Sequence, residues 1–283
     1  MASFDTSDGL SLYYEDAGSG PALLCLAGLT RSCRDFDHVA PHLAGCRVIR
    51  MDYRGRGDSA YDADFRNYSI PREARDALEL LDHLGLERAA ILGTSRGGLI
   101  AMALATTAPA RLSGVILNDI GPVIEPAGLS RILDRLGRPP EARSLEDAAH
   151  ALARDNAAEF PGVPLDRWRE EARARYRQGP GGLVLRYDPH LRDAVAAAGA
   201  DSSATDAPDP WALLDALRPL PLGVIRGANS DILSAETLRQ MQLRRPDIVS
   251  TTVPDRGHVP FLDEPPALGV IHSVMDGVKA RGG

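Results

Sequence analysis

Short apolar runs bounded by turn residues alternate along this chain with longer segments of helical period. Such alternation predicts a mostly parallel β-sheet covered by helices, because the apolar strands must be buried between helical layers. The candidate strands are residues 10–14, 22–26, 47–51, 89–92, 114–117, 222–226 and 248–253. The candidate helices are residues 70–84, 96–107, 211–217, 235–243 and 266–278. We expect the first strand to be an antiparallel edge of the sheet.

The alternation stops after Leu117 and resumes with the run that ends in Arg226. Between them, residues 121–210 are helical in composition and poor in strand signals, with Pro/Gly breaks at 138–140, 161–164 and 179–182. We interpret this segment as a helical cap inserted into one α/β core, which residues 1–120 and 211–283 form. Within it, residues 194–208 are small and polar, which predicts a loop or linker.

The basic residues exclude several classes of protein. Lys279 is the only lysine among 32 basic residues, and 39 acidic residues give the chain a net charge of −7. A P-loop, a protein kinase and a Schiff-base enzyme each need a lysine in the site. Arginine cannot replace it as a base or imine former, because its guanidinium stays protonated. The acidic balance also argues against a nucleic acid partner.

The cysteines and the apolar runs indicate the cellular compartment of the protein. Cys25, Cys33 and Cys46 are an odd number and lack CxxC spacing, so we expect neither a disulfide framework nor a zinc site. We also expect no other metal and no cofactor. No apolar run is long enough to span a bilayer, and acidic residues interrupt the first 20 positions. We expect a cytoplasmic protein, monomeric or homodimeric, with no membrane partner.

The strongest chemical signal is the segment Gly93-Thr94-Ser95-Arg96-Gly97. An apolar strand precedes it and a helix-forming stretch follows, which is the context that the Gly-x-Ser-x-Gly motif requires. The glycines let strand and helix approach closely, so the sharp turn between them projects the Ser95 hydroxyl beyond the end of the sheet. This pattern predicts a serine nucleophile.

A serine hydroxyl needs a base to take its proton. Among seven histidines, His258 alone follows the last candidate strand, in a loop at the end of the sheet where ligands gather in open α/β folds. The other six lie in predicted helices, in loops or in the inserted segment. We therefore assign the base to His258.

A carboxylate should hold the histidine in the right tautomer and stabilise its charged form. In the chain order Ser, Asp or Glu, His, the carboxylate follows the strand before the histidine's strand, which favours Asp231. Asp119 is the alternative, because it follows the strand after the nucleophile's helix and also faces the site.

Five ordered segments make the chain resemble the α/β-hydrolase superfamily over nearly its whole length. They are residues 26–30, 52–59, 93–97, 227–231 and 257–260, the last followed by Glu264-Pro265. The resemblance implies an eight-stranded, mostly parallel sheet with a helical cap after the sixth strand. The sequence departs from the pattern at Ala27, where relatives commonly carry a histidine that supports the loop.

The resemblance also implies an oxyanion hole, formed by the backbone N–H groups of Leu29 and Arg96. Many members of the superfamily have an apolar residue directly after the nucleophile, so an arginine at this position, Arg96, is unusual. Its guanidinium could anchor a substrate carboxylate with help from Arg31. The alternative is an internal ion pair between Arg96 and an acid such as Asp119 or Asp52.

A serine at the centre of the Gly-x-Ser-x-Gly turn favours acyl chemistry, since similar enzymes that open epoxides or displace halide carry aspartate there. The expected function is hydrolysis of a carboxylic ester or lactone of a small molecule through an acyl-enzyme. Two alternatives remain open. One is C–C bond hydrolysis or a perhydrolase reaction on the same fold, and the other is a small-molecule receptor with a vestigial triad.

Overall fold

The structure is a computed structural model that describes residues 2–201 and 209–282. The strands in these residues are β1 (Ala2–Asp5), β2 (Ser11–Gly18), β3 (Ala22–Leu26), β4 (Arg47–Met51), β5 (Ala89–Thr94), β6 (Leu112–Asn118), β7 (Tyr176–Gly179), β8 (Gly182–Leu185), β9 (Leu222–Gly227) and β10 (Val249–Val253). Within the described part of the chain, the main sheet has eight strands in the order β1-β2-β4-β3-β5-β6-β9-β10. Every pairing from β4 to β10 is parallel. The expected mostly parallel, eight-stranded sheet is confirmed.

The edge of the sheet lies one strand further out than the sequence indicated. The expectation that residues 10–14 form the edge is wrong, because β1 pairs antiparallel with β2 and places Ala2 opposite Tyr14. Only Phe4 of β1 is buried. A four-residue strand with one buried side chain carries no apolar run, which is why the pattern of the sequence does not reveal it.

Helices cover both faces of the sheet. The helices in the described residues are α1 (Ile70–His83), α2 (Arg96–Thr107), α3 (Pro126–Arg135), α4 (Leu145–Asp155), α5 (Leu165–Arg175), α6 (Leu191–Asp201), α7 (Pro210–Asp215), α8 (Ala235–Arg244) and α9 (Pro265–Ala280). All six residues of β5 are buried, with Ile91 in the core on the α1 and α2 side and Leu92 in the core on the α9 side. Such burial on both faces is expected of a central parallel strand. None of the helices in the described residues is long and apolar enough to cross a bilayer.

The chain between β6 and β9 adds α3 to α6 and a two-stranded hairpin of β7 and β8. The hairpin is absent from the sequence prediction, which treats residues 179–182 only as a break, whereas they form its turn. The loop expected over residues 194–208 is wrong for residues 194–201, which belong to α6. The alanine-rich sequence there has high helix propensity. Residues 202–208 lie outside the described residues.

Candidate active site

Ser95 occupies a strained turn between β5 and α2. Its φ of 50° and ψ of −111° lie in a region that non-glycine residues rarely adopt. The glycines on either side are sterically required. A Cβ added to Gly97 would lie 2.0 Å from the Leu26 carbonyl oxygen, and one added to Gly93 would lie 2.6 Å from the Gly97 backbone. The motif therefore folds as the sequence predicts, with the serine at the end of the sheet.

His258 comes from the loop after β10 and contacts the serine directly. Its Nε2 lies 2.9 Å from Ser95 Oγ, within hydrogen-bond distance. The histidine side chain is mostly buried. This arrangement brings together the predicted nucleophile and the predicted base, which are 163 residues apart in the chain.

Asp119, the residue after β6, lies on the other side of the imidazole. Its Oδ2 is 2.8 Å from His258 Nδ1, and its side chain is fully buried. The carboxylate also accepts hydrogen bonds from Gly227 N at 2.8 Å and from Ser230 Oγ at 2.6 Å. These three donors hold the carboxylate in one orientation. Because a carboxylate only accepts hydrogen bonds, Nδ1 of His258 donates to it, and Nε2 is free to accept from the Ser95 hydroxyl.

The preference for Asp231 as the partner of His258 is wrong. Asp231 Oδ2 instead pairs with Arg131 Nη2 of α3 at 2.6 Å, and 31% of its side chain is exposed. The loop after β9 does reach the site, but it does so through Gly227 and Ser230, which donate to Asp119. The carboxylate that contacts His258 is thus on the loop after β6, and the loop after β9 supports it through hydrogen bonds.

Leu29 lines the same cavity as Ser95, and Arg96 directly follows Ser95 in the chain. Arg96 is the first residue of α2, where N–H groups have no partner within the helix. The loop that carries Leu29 is close, since a Cβ added to Gly28 would lie 3.9 Å from Ser95 Cβ. Neither amide has a hydrogen-bond acceptor among residues 2–201 and 209–282. At Ala27, where relatives commonly carry histidine, the carbonyl oxygen accepts a hydrogen bond from the Tyr53 hydroxyl at 3.1 Å.

A profile described as the alpha/beta hydrolase family matches residues 23–268. The chain belongs to this family. It is 35% identical over 272 residues to a 3-hydroxybutyrate-oligomer hydrolase of Cupriavidus necator, covering 94% of this chain and 92% of that one. A 2-(acetamidomethylene)succinate hydrolase of Mesorhizobium japonicum is 27% identical, with coverage of 88% and 85%. A solved α/β hydrolase of Novosphingobium aromaticivorans is 38% identical, with 97% of both chains covered and a TM-score of 0.88. These relatives support a hydrolase activity for this member of the family.

The Arg96 side chain of this α/β hydrolase forms a buried ion pair with an acid that the sequence does not indicate. Its Nε donates to Glu73 Oε2 of α1 at 2.6 Å and its Nη2 to the Tyr68 carbonyl oxygen at 3.1 Å. Burial alone would lower the pKa of Arg96, but Glu73 outweighs it and raises that pKa. The expected alternatives, Asp52 and Asp119, are wrong as partners, since both have other contacts.

A cavity of about 200 Å³ lies in front of Ser95 and His258. Its apolar walls include Leu29, Ile132, Phe160, Trp168 and Phe261, and its polar wall contains Arg31, Asp35, Asn156, Glu171 and Arg175. Phe160 and Trp168 lie in the chain between β6 and β9, so that segment shapes the space where a substrate would bind. Among these lining residues the sequence indicates Leu29 and Arg31, and the others are separate positions that only the tertiary fold brings together.

The polar wall centres on Arg31, which lies between two buried acids. Arg31 Nε is 2.8 Å from Asp35 and Nη2 is 2.7 Å from Glu171 Oε2. Burial would raise the pKa of Glu171, but Arg31 and Arg175 lower it below its usual value. Arg31 Nη1 is buried and has no hydrogen-bond partner among the described residues. This unused donor belongs to a residue that lines the cavity.

Proposed function

We propose that this hydrolase cleaves a carboxylic ester or lactone of a small molecule through an acyl-enzyme, with Ser95 as nucleophile, His258 as base and Asp119 as its carboxylate partner. One observation supports it above the others. An unbroken chain of hydrogen bonds joins Ser95 Oγ to His258 at 2.9 Å and His258 to Asp119 at 2.8 Å. This is the arrangement by which a serine loses its proton as it attacks a carbonyl carbon.

The reaction proceeds in two halves. Ser95 Oγ bonds to the acyl carbon while His258 Nε2 takes the hydroxyl proton, and the ester C–O bond then breaks as His258 returns that proton to the leaving alcohol. A water molecule next gives a proton to His258 as its oxygen bonds to the acyl carbon. The bond between that carbon and Ser95 Oγ then breaks as His258 gives the proton to Oγ, which releases the acid and restores the serine. Asp119 stays ionised and stabilises the imidazolium in both halves.

The oxyanion of each tetrahedral intermediate would accept hydrogen bonds from the Leu29 and Arg96 amides. Both N–H groups are without an acceptor in the described residues. In enzymes of this kind one such donor contributes about 3 kcal/mol to the transition state. The position of Arg96 at the start of α2 adds the positive end of the helix dipole.

The substrate we favour is an ester that carries a carboxylate close to the cleaved bond, with Arg31 as a binding residue. The unpartnered Arg31 Nη1 supports this choice, because a buried donor gains most from a charged acceptor. The similar 3-hydroxybutyrate-oligomer hydrolase is named for an oligomer of a hydroxy acid, whose units are joined by esters and end in a carboxylate. Arg96 is not favoured as the anchor, because it is outside the cavity lining and its guanidinium binds Glu73.

Residues 121–210 would act as the cap of this site. Ile132, Phe160 and Trp168 from that segment line the cavity, which supports a role in shaping the acyl or alcohol pocket and in excluding water. Substrate choice would then depend mainly on this segment.

A fluorophosphonate probe combined with a panel of p-nitrophenyl esters and lactones tests the proposal. We expect one covalent adduct on Ser95, its loss in Ser95→Ala, and turnover of short esters by the unaltered protein. An intact protein that neither reacts with the probe nor turns over any ester would overturn the proposal and favour a binding protein.

A further inference from the structure

Three buried charged side chains, Arg56, Glu73 and Arg96, form a cluster behind the two amides of the oxyanion hole. We propose that Glu73 is a positioning residue that holds both halves of this hole in place, one through Arg96 and the other through Arg56. The proposal rests on the proposed function, since it assumes that Leu29 and Arg96 bind the oxyanion. It assigns a role in catalysis to a residue of α1 that is outside the cavity lining and whose side chain has Arg96 and Arg56 as its polar partners in the described residues.

The first connection runs through Arg96. Glu73 Oε2 accepts from Arg96 Nε at 2.6 Å, and the Tyr68 carbonyl oxygen accepts from Arg96 Nη2 at 3.1 Å. The side chain that these bonds fix belongs to the residue whose own N–H faces the oxyanion. Because Ser95 directly before it has a strained backbone, the first turn of α2 gains from an external support.

The second connection runs through Arg56 to the oxyanion loop. Glu73 Oε1 lies 2.9 Å from Arg56 Nη1 as an ion pair without a hydrogen bond, since Nη1 donates to the Arg54 carbonyl oxygen at 2.7 Å. Arg56 Nε donates to the Leu29 carbonyl oxygen at 3.0 Å. The Leu29 carbonyl and the Leu29 N–H flank the same Cα. Fixing the carbonyl therefore limits the rotation that would turn the N–H away from Ser95. The rings of Tyr53 and Tyr68 contact the Arg56 guanidinium, at 5.5 Å and 5.4 Å from their centroids.

Charge makes Glu73 the central member of the cluster. The side chains of Glu73 and Arg56 are fully buried, and that of Arg96 is 11% exposed. One carboxylate thus lies between two guanidinium groups, and without it two like charges would remain buried side by side. Burial lowers the pKa of Arg56, and Glu73 opposes that effect. Loss of the carboxylate should therefore push the two arginines apart and release both amides together.

The test compares Glu73→Gln with a control on the same helix. Asp76 is also fully buried and pairs with the buried Arg54 at 2.7 Å, but its carboxylate contacts neither Leu29 nor Arg96. Asp76→Asn should therefore cost stability without affecting the oxyanion hole. Arg96→Met is a second test variant, because it leaves a neutral Glu73–Arg56 pair and is less disruptive to folding.

The readouts are kcat, KM and the affinity for an alkyl boronic acid, which forms a tetrahedral anion on serine, against the affinity for the product acid. For Glu73→Gln and Arg96→Met we expect kcat to fall at least ~10-fold with KM within ~2-fold. Boronate affinity should fall by a similar factor while affinity for the product acid is kept. In Asp76→Asn both affinities should be unchanged, even where the midpoint of unfolding falls.

Two results separate this proposal from the proposed function. If Ser95 of the unaltered protein reacts with a fluorophosphonate, and Glu73→Gln and Arg96→Met keep kcat and boronate affinity within ~2-fold, the positioning role is wrong and the hydrolase assignment stands. If the unaltered protein neither reacts with the fluorophosphonate at Ser95 nor turns over any ester, both are overturned. Should Glu73→Gln fail to fold, Arg96→Met and Arg56→Met decide the outcome by the same criteria.

Discussion

His258 Nδ1 lies 2.8 Å from Asp119 Oδ2, whereas Asp231, on the loop after β9, pairs with Arg131 of α3. We expect Asp119→Asn to lower kcat by roughly 10³–10⁴-fold, because an amide favours the wrong tautomer of the histidine. Asp231→Asn should leave kcat within ~2-fold. Steady-state hydrolysis of one p-nitrophenyl ester by both variants checks this. The reverse ranking would return the acid to Asp231.

The close approach of α2 to β3 makes Gly97 intolerant of a side chain. In Gly97→Ala the new Cβ would lie 2.0 Å from the Leu26 carbonyl oxygen, so backbone must move. We expect a loss of about 2–3 kcal/mol in the free energy of unfolding, measured with urea. Gly269→Ala is the matched control, because Gly269 is an exposed residue of α9 with nothing within 4 Å of an added Cβ. That variant should gain roughly 0.5–1 kcal/mol, and equal losses in the two variants would contradict the packing argument.

Arg31 should discriminate between acidic and neutral substrates. In Arg31→Met we expect kcat/KM for an ester with a nearby carboxylate to fall ~10-fold or more relative to its neutral methyl ester. The ratio of the two substrates cancels any change in the fraction of folded enzyme. Arg167→Met is the control, since Arg167 pairs with Asp263 and stacks on Phe261 but is outside the cavity lining. An unchanged ratio in Arg31→Met would mean that the carboxylate binds elsewhere or is not part of the substrate.

Asp8 should contribute to the sensitivity of the fold to acid. Burial would raise the pKa of Asp8, but hydrogen bonds from Thr6 and Arg54 and the charges of Arg54 and Arg72 lower it to about 2. A folded pKa below the unfolded value of 3.8 means that the stabilising effect is present above pH 3.8 and is lost as the pH falls towards 2. Urea unfolding between pH 5 and 2 should therefore show a shallower decline for Asp8→Asn than for the unaltered protein. Parallel declines would show that Asp8 is not responsible.

The sequence predicts seven of the eight strands of the main sheet, five of the nine helices in the described residues and the approach of His258 to Ser95. Each of these predictions depends on a pattern that is visible along the chain. Gly93 and Gly97 mark the turn that carries Ser95, because the close approach of strand and helix there leaves no room for a side chain. The end of the last strand then identifies His258 among seven histidines.

Residues that act through tertiary contacts are beyond such patterns. Asp119 and Asp231 both follow a buried strand, and only the fold reveals that Asp119 turns inward with a φ of 54°. Glu73 lies 23 residues before Arg96, on a helix whose sequence does not indicate that it packs beside the Ser95 turn. The partner of a buried arginine depends on how helices pack, which alternation and spacing do not encode.

The most direct test of the account is to trap the acyl-enzyme. The protein is mixed with excess p-nitrophenyl ester, quenched in acid within milliseconds and analysed by intact mass and peptide mapping. We expect one acyl group per chain on Ser95, a matching burst of p-nitrophenol, and neither in Ser95→Ala. Turnover by the unaltered protein with an acyl group on another residue, or turnover that persists in Ser95→Ala, would contradict the account.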